Sequence, residues 1–204
     1  MGRIVCVANQ KGGVGKTTTA SNVAAGLAKA GMQTLLVDLD PQCNATTGLG
    51  GIPAETHPLV SEAALGENVV STAVTNLSLL PGSRSVRDVE RIAEQARAGS
   101  MVLSNHLSCG LNAWDYCLID CPPSLGELTR TALAGSTEVL MPIQCEYFAL
   151  EGLTQMIEVI RDVMADQPGR LSFSGIVLTM HDANLELTTE VEQEVRDFFG
   201  EIVF

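Results

Sequence analysis

Apolar residues along this chain occur either in short continuous runs or at intervals of three and four. Short runs are typical of buried strands, and the wider spacing is typical of helices with one buried face. The runs predict strands over 3–8, 33–40, 77–82, 115–120, 137–143 and 171–180. The spaced pattern predicts helices over 17–31, 85–108, 125–135, 150–166 and 186–200, with 41–76 irregular to helical and a last strand beginning at 201.

This alternation predicts an α/β fold, with a mostly parallel, doubly wound sheet covered by helices on both faces. We find no linker and no repeat, so residues 1–204 are predicted to form a single domain. In such sheets, ligands bind at the carboxyl ends of the strands. The polar motifs at 9–18, 38–46, 120–124 and 180–184 all lie at the ends of predicted strands, which places one site at that edge.

Composition, apolar run length and net charge limit the classes of protein to which this chain can belong. The chain is 46% hydrophobic and its mean hydropathy is +0.21, which is typical of a folded protein. No apolar run approaches the roughly 18 residues of a membrane span, and the first run is too short for a signal peptide. With 24 acidic and 12 basic residues the net charge is −12, so most of the surface is expected to repel nucleic acid.

The six cysteines form no Cys-x-x-Cys pair. Their positions in or near apolar runs favour buried free thiols over a metal or cluster site. They are Cys6, Cys43, Cys109, Cys117, Cys121 and Cys145.

A glycine-rich turn, "NQKGGVGKTTT", follows the first predicted strand. Gly12, Gly13 and Gly15 allow the backbone to turn its N–H groups toward an anion, and the helix that follows adds the positive end of its dipole. Lys16 can reach the β- and γ-phosphates, and the Thr17 hydroxyl can bind Mg²⁺. The turn is therefore predicted to bind a nucleotide triphosphate.

The turn departs from the usual phosphate-loop pattern at two neighbouring positions. Gln10 stands where the pattern has a glycine, and Lys11 is an additional lysine. Lys11 is predicted to reach outward across an interface, as an arginine finger supplied in trans does. The alternative is a solvated loop lysine.

Carboxylates end two of the predicted strands. Asp38 and Asp40 flank Leu39 and share a face of the extended chain, so either could hold the Mg²⁺ shell or orient a water at the γ-phosphate. The alternative is a strand-end turn with Pro41. Asp120 ends the strand "YCLID" and is predicted to be a second carboxylate directed at Mg²⁺.

Four motifs together resemble the ParA/Soj chromosome- and plasmid-partition ATPases, in the superfamily that includes MinD. They are "KGGVGKTT", "LLVDLDPQCNATTGLG", "YCLIDCPPSLGELTRTAL" and "PIQCEYFALEGL", and they cover nearly the whole chain. The resemblance implies an ATPase in which ATP and Mg²⁺ lie between two subunits. It implies a nucleotide site formed by Lys11, Gly12, Gly13, Val14, Gly15, Lys16, Thr17 and Thr18.

The resemblance also assigns roles within that site. Lys11 would act on the partner's phosphates and Lys16 on those bound by its own chain. Thr17 would bind Mg²⁺, Asp40 would position the attacking water, Asp120 would act through the water shell of the metal, and Asp38 would support that shell. Met180 and Asp182 stand where the family lines the base pocket.

Three departures from the family pattern stand out. Cys43 replaces the glycine usual in "DPQGNAT", and Asn184 stands where the family carries an arginine implicated in DNA binding. The family also continues for several tens of residues beyond Phe204, so the chain is expected to lack its C-terminal segment.

The expected function is an ATP-dependent dimerising switch in partitioning, with a ParB-like activator and non-specific DNA as partners. It is expected to be cytoplasmic and to associate with the nucleoid when ATP is bound. Alternatives are a MinD-like membrane-positioning ATPase, an iron–sulfur reductase and a weakly active nucleotide-binding regulator. The cysteines do not fit the second of these, and "DPQCNAT" argues against the first.

Overall fold

The structure is a computed structural model that describes residues 2–61, 64–88, 113–146 and 149–204, without the side chains at 149–151. Its strands are β1 (Arg3–Val7), β2 (Thr34–Asp38), β3 (Val70–Ser71), β4 (Leu77–Leu80), β5 (Tyr116–Asp120), β6 (Glu138–Gln144) and β7 (Ser172–Thr179). Its helices are α1 (Lys16–Lys29), α2 (Asn44–Gly48), α3 (Pro58–Ser61), α4 (Leu65–Asn68), α5 (Glu127–Gly135), α6 (Ala149–Asp166) and α7 (Glu186–Phe199).

The described strands form one sheet in the order β3-β4-β2-β5-β1-β6-β7. All neighbouring pairs are parallel except β3 with β4. The chain leaves β1 toward β2 on one side and later places β6 on the other, so the order reverses at β1. The carboxyl end of β1 is therefore the switch point at which such sheets bind ligands.

Each face of the sheet is covered by a different set of helices. Side chains of β1 alternate between the two faces, with Ile4 and Cys6 on one and Val5 and Val7 on the other. The first face packs against α5, α6 and α7, and the second against α1. Each large aliphatic side chain buried in this way contributes about 1.5–3 kcal/mol to the free energy of unfolding.

Helix α1 lies flat on the sheet because its contact stripe consists of alanines. Ala20, Ala24 and Ala28 recur every fourth residue and are at most 1% exposed. Small side chains allow the helix backbone to approach the strands closely. The N-terminus of α1 is thereby fixed directly beyond the carboxyl end of β1.

The predicted α/β architecture is confirmed, including the mostly parallel sheet and its central strands. The sequence did not predict β3, whose two residues pair antiparallel with β4. The predicted helix over 85–108 falls largely outside the described residues. The prediction of a strand that begins at residue 201 is wrong. Gly200–Ile202 form a 3-10 turn, and Val203 makes a single parallel bridge to Ile176.

Candidate nucleotide site

The glycine-rich turn joins β1 to α1 in the conformation that its glycines allow. Gly13 and Gly15 have φ of 78° and 86°, and Gly15 is the N-cap of α1. Residues with a Cβ rarely adopt these angles. The side chain of Val14 is buried between them, and its carbonyl accepts a hydrogen bond of 2.9 Å from the Thr179 hydroxyl at the end of β7. The loop is thus anchored to a strand two places away in the sheet.

Lys16 lies inside this loop. Its Nζ donates to the carbonyl oxygen of Lys11 at 2.6 Å, and the residue is only 6% exposed. Burial lowers the pKa of Lys16, while the charges of Asp120 and Asp40 oppose that shift. The ammonium group therefore lies against the backbone of its own loop, and its predicted contact with phosphate in cis stays a prediction.

Lys11 is held by its backbone and by its side chain. Its amide donates to Asn9 Oδ1 at 3.0 Å, and Asn9 Nδ2 donates to the Pro142 carbonyl of β6 at 2.7 Å. The Lys11 ammonium forms an ion pair with Glu146, just beyond the end of β6. The outward reach predicted for Lys11 is therefore replaced in this conformation by a contact within its own subunit.

Asp120 lies beside β1 and β2, opposite Val7 and Asp38 in the sheet register. Both of its carboxylate oxygens are buried, and neither makes a hydrogen bond of ordinary geometry. Burial raises the pKa of Asp120 to about 7, while the nearby Thr17 hydroxyl opposes the rise. A buried carboxylate without a partner is costly unless a cation or donor joins it, so this group is suited to a ligand.

These residues fit Mg²⁺ delivered with a nucleotide. Mg²⁺ prefers oxygen ligands and is usually held by one or two carboxylates together with phosphate oxygens and waters. Thr17 and Asp120 offer such oxygens beside the phosphate loop. Within the described part of the chain, no group of three or more His, Cys, Asp or Glu side chains could hold a metal alone. The phosphates would therefore complete the coordination.

Asp40 lies in the connection between β2 and α2. It is 6% exposed, and its Oδ1 accepts a hydrogen bond of 2.8 Å from the Gln42 amide. A cavity of about 330 Å³ separates Asp40 from the Pro122–Pro123 loop that follows β5. The predicted water-positioning carboxylate and the loop that follows β5 thus line the same cavity.

Asp38 is hydrogen-bonded to the loop that follows its own strand. The residue is completely buried, and both carboxylate oxygens accept hydrogen bonds from the chain, from Thr46 and from the amide of Asp40. The structure brings Asp38, Asp40 and Asp120 to one edge, but only Asp120 has both oxygens unbonded. A role for Asp38 in the Mg²⁺ shell stays a prediction.

Met180 and Asp182 follow β7 and lie on the exposed side of the site. Met180 is 59% exposed with φ of 53°, an uncommon conformation for a long side chain. Asp182 Oδ1 accepts hydrogen bonds of 2.9 Å from both the amide and the side chain of Asn184, which lower the pKa of Asp182. Asn184, at the family's arginine position, thus shapes this turn. The base-pocket assignment of Met180 and Asp182 stays a prediction.

Sequence reasoning missed four side chains that shape the site: Asn9, Thr46, Glu146 and Thr179. Each acts through a contact with a segment distant in sequence, or through a backbone group. The motif "NQKGG" contains Asn9 and "DPQCNAT" contains Thr46, but neither motif shows which atom these side chains bind. Only the folded sheet brings β6 and β7 beside the loop.

The thiols behave as predicted among the described residues. Cys6, Cys43, Cys117, Cys121 and Cys145 are free and buried, and Cys109 lies outside the described residues. Cys6 and Cys121 lie with their sulfurs 3.4 Å apart. Cys43 is unusual in its backbone, with φ of 56° at the N-cap of α2.

Comparison with known proteins gives one matching family model and several similar relatives. The AAA domain family matches residues 2–173. The chain is 44% identical to the chromosome-partitioning ATPase Soj of Treponema pallidum (strain Nichols), over 100% of this chain and 81% of that protein. It is 43% identical to the chromosome partitioning protein ParA of Myxococcus xanthus (strain DK1622), over 100% of this chain and 74% of that protein.

Among solved structures, one similar fold contains an ATP analog and magnesium. It is cobyrinic acid a,c-diamide synthase from Mycobacterium smegmatis, with a TM-score of 0.91 and 33% identity over 98% of this chain and 84% of that one. That protein is named as a different enzyme. It shares the fold of this chain, and its structure contains an ATP analog together with magnesium.

Proposed function

The chain belongs to the Soj/ParA family of chromosome-partitioning ATPases, and on that premise we propose how its residues carry out the ATPase cycle. It is a P-loop ATPase of the partitioning type that uses ATP and Mg²⁺. The observation that carries the residue assignment is the buried carboxylate of Asp120, which makes no hydrogen bond of ordinary geometry and lies beside Thr17 and the phosphate loop.

The loop binds the phosphates of ATP. Backbone N–H groups from Gly12 to Thr18 surround the β- and γ-phosphates, and Lys16 exchanges the Lys11 carbonyl for phosphate oxygens. Thr17 and Asp120 would hold Mg²⁺, which would supply positive charge to offset the charge that develops during phosphoryl transfer. A cation beside Asp120 would favour the ionised form of its carboxylate.

Hydrolysis requires a water aligned with the γ-phosphate, and Asp40 is the residue that positions it. Asp40 is held at the edge of the cavity facing the Pro122–Pro123 loop, where such a water could lie. Lys11 leaves Glu146 and contacts the phosphates bound by a second subunit. Two chains with ATP between them would therefore form the active state.

Membership of this family also supports a proposal for the molecules that the protein binds. We propose a ParB-like activator and non-specific DNA, with the protein in the cytoplasm and on the nucleoid when ATP is bound. Net charge −12 means that DNA binding would depend on a local basic surface. No helix in the described ranges is long and apolar enough to span a bilayer. No observation favours a MinD-like role or an inactive regulator.

Two single substitutions test the division of labour between the lysines. Lys16→Ala should weaken binding of a fluorescent ATP analog and abolish hydrolysis, because it removes the cation from the chain's own phosphate site. Lys11→Ala should leave binding within about twofold and lower turnover by roughly 10³-fold, the lower range for a finger supplied in trans. Equal loss of binding in both variants would refute the assignment.

DNA retention tests the partitioning role separately from ATP hydrolysis. Binding of the ATP form to a DNA-coated surface should fall steeply as salt is raised, because phosphate contacts release counterions. The ADP form is the control. An ATP form that hydrolyses ATP but shows no salt-sensitive retention would leave the ATPase intact and remove DNA as a partner.

A further inference from the structure

A chain of hydrogen bonds links Asp38 to three separate parts of the backbone. The amide of Gly82 donates to Thr46 Oγ1 at 2.8 Å, and that hydroxyl donates to Asp38 Oδ2 at 2.6 Å. The Thr46 amide donates to the same oxygen at 2.8 Å. The other oxygen, Oδ1, accepts from the Asp40 amide at 3.2 Å.

The surroundings leave this carboxylate little freedom. Asp38 and Thr46 are both 0% exposed. A Cβ at position 82 would lie 2.8 Å from Asp38 Cγ, so the backbone of Gly82 is pressed against the carboxylate. A carboxylate offers about four lone-pair directions, and three of those of Asp38 are already used. Its rotamer is thus fixed by groups of its own chain.

We propose that Asp38 is a positioning residue that holds the backbone at Asp40, with Thr46 orienting its carboxylate, rather than a ligand of the Mg²⁺ shell. The inference rests on the proposed role of Asp40 in aligning water. Asp38 would act through the Asp40 amide, which fixes the start of the turn that carries the Asp40 side chain. Thr46, eight residues later, closes the segment between β2 and α2 around this carboxylate.

The chemistry of the contacts supports positioning. Thr46 Oγ1 accepts from Gly82 while donating to Asp38, and hydrogen bonds in such a series strengthen one another in a buried setting. Asp120, in contrast, has both oxygens buried with no hydrogen bond of ordinary geometry, and the hydroxyl near it belongs to Thr17 of the phosphate loop. Of the two strand-end carboxylates, one is therefore bound to its own chain and the other is available to a ligand.

Kinetics with a magnesium titration separate the two roles. Thr46→Val removes the hydroxyl at nearly constant volume, and Thr46→Ser retains it. Thr46→Val and Asp38→Asn should each lower kcat by about 10- to 100-fold, since small misplacements of a catalytic group have effects of this size. KM for ATP and the Mg²⁺ concentration at half-maximal rate should stay within about twofold. Thr46→Ser should keep at least half the wild-type rate.

A readout independent of turnover accompanies the kinetics. Mg²⁺ tightens binding of a fluorescent ATP analog if it bridges nucleotide and protein, and Asp38→Asn should leave that tightening unchanged. Asp120→Asn is the positive control and should reduce it. The double variant Asp38→Asn with Thr46→Val should lose no more than the worse single variant, because both act through one contact.

Three outcomes would overturn the inference. A tenfold rise in the Mg²⁺ requirement of Asp38→Asn would make Asp38 part of the metal shell. An unchanged kcat in Thr46→Val would remove Thr46 from the mechanism. Multiplied losses in the double variant would show independent roles. If Thr46→Val fails to fold, Asp38→Asn and Thr46→Ser still decide the question, whereas a wild-type protein without ATPase activity would refute the proposed function instead.

Discussion

Asp120, the carboxylate proposed to act through Mg²⁺, lies in an unfavourable electrostatic environment. Its pKa is raised to about 7, mainly by burial, from an ordinary value of 3.8. The folded state therefore binds this proton more tightly than the unfolded chain does. The contribution of the group to stability is fully present below about pH 3.8 and is lost as the pH rises through about 7.

Replacing Asp120 should stabilise the nucleotide-free protein in a pH-dependent way. At pH 8, Asp120→Asn should have a higher free energy of unfolding than the wild type, by at most about 4 kcal/mol. The difference should shrink as the pH falls to 5, because the wild-type carboxyl then becomes neutral. Urea denaturation at both pH values measures it. Asp166→Asn is the control for loss of one exposed charge, and a difference independent of pH would contradict the account.

Cys43 stands in a backbone conformation that favours glycine. With φ of 56°, its Cβ meets the steric penalty of the left-handed region, about 1–2 kcal/mol. Glycine avoids that penalty but loses about 0.5–1 kcal/mol of chain entropy on folding. Cys43→Gly should therefore be more stable than Cys43→Ala by roughly 0.5–1 kcal/mol in urea denaturation. Equal stabilities would show that the turn relaxes.

The positions of single residues in the fold were predictable where the local pattern is specific. The sequence pattern placed Lys16 and Thr17 at the start of α1 and Asp120 at the end of an apolar strand, and the structure has them there. The hydrogen bonds of Asp38 could not be predicted in this way, because Asp38 and Asp40 are chemically identical and lie two residues apart. What distinguishes them is the contact of Asp38 with Thr46 and Gly82, which exists only after the loop closes on β4.

At the scale of elements, the phosphate loop is coupled to the connection between β6 and α6. Asn9 bridges the loop to β6, Lys11 pairs with Glu146, and the Gln10 side chain lies beside Gly152 of α6. If Lys11 acts on a second subunit as proposed, its ion pair with Glu146 has to break first. The ion pair would then oppose dimer formation.

Weakening that ion pair should favour the dimer. Both side chains are about one-third exposed, and such pairs contribute up to about 1 kcal/mol. In an Asp40→Ala background, Glu146→Gln should lower the ATP concentration at half-maximal dimer formation by up to about fivefold. Glu158→Gln, on the exposed face of α6, is the control. An increased ATP requirement would mean that Glu146 instead contributes to the dimer.

The elements themselves were largely predictable because this sheet is buried on both faces. Continuous apolar runs predicted β1, β2, β5, β6 and β7. The strand β3 was missed, since its two residues are exposed and carry no apolar run. The predicted last strand was too long because "EIVF" is apolar enough for a strand. In the structure Gly200, with φ of 59°, starts a 3-10 turn instead.

At the scale of the whole molecule, the topology brings the separate motifs to one place. The order reversal at β1 places the phosphate loop between β5, which carries Asp120, and β6, which leads to Glu146. Sequence reasoning predicted this clustering from strand ends alone. It did not predict that Lys11 is retained by its own subunit, because periodicity does not determine which strands are neighbours.

The central claim is that ATP joins two copies of this chain, and light scattering of the Asp40→Ala protein tests it most directly. That variant should bind ATP and Mg²⁺ without hydrolysing them. We predict a molar mass of twice the 21.6 kDa chain with ATP and Mg²⁺, and a single-chain mass with ADP. A single-chain mass at saturating ATP and Mg²⁺ would contradict the dimeric active state.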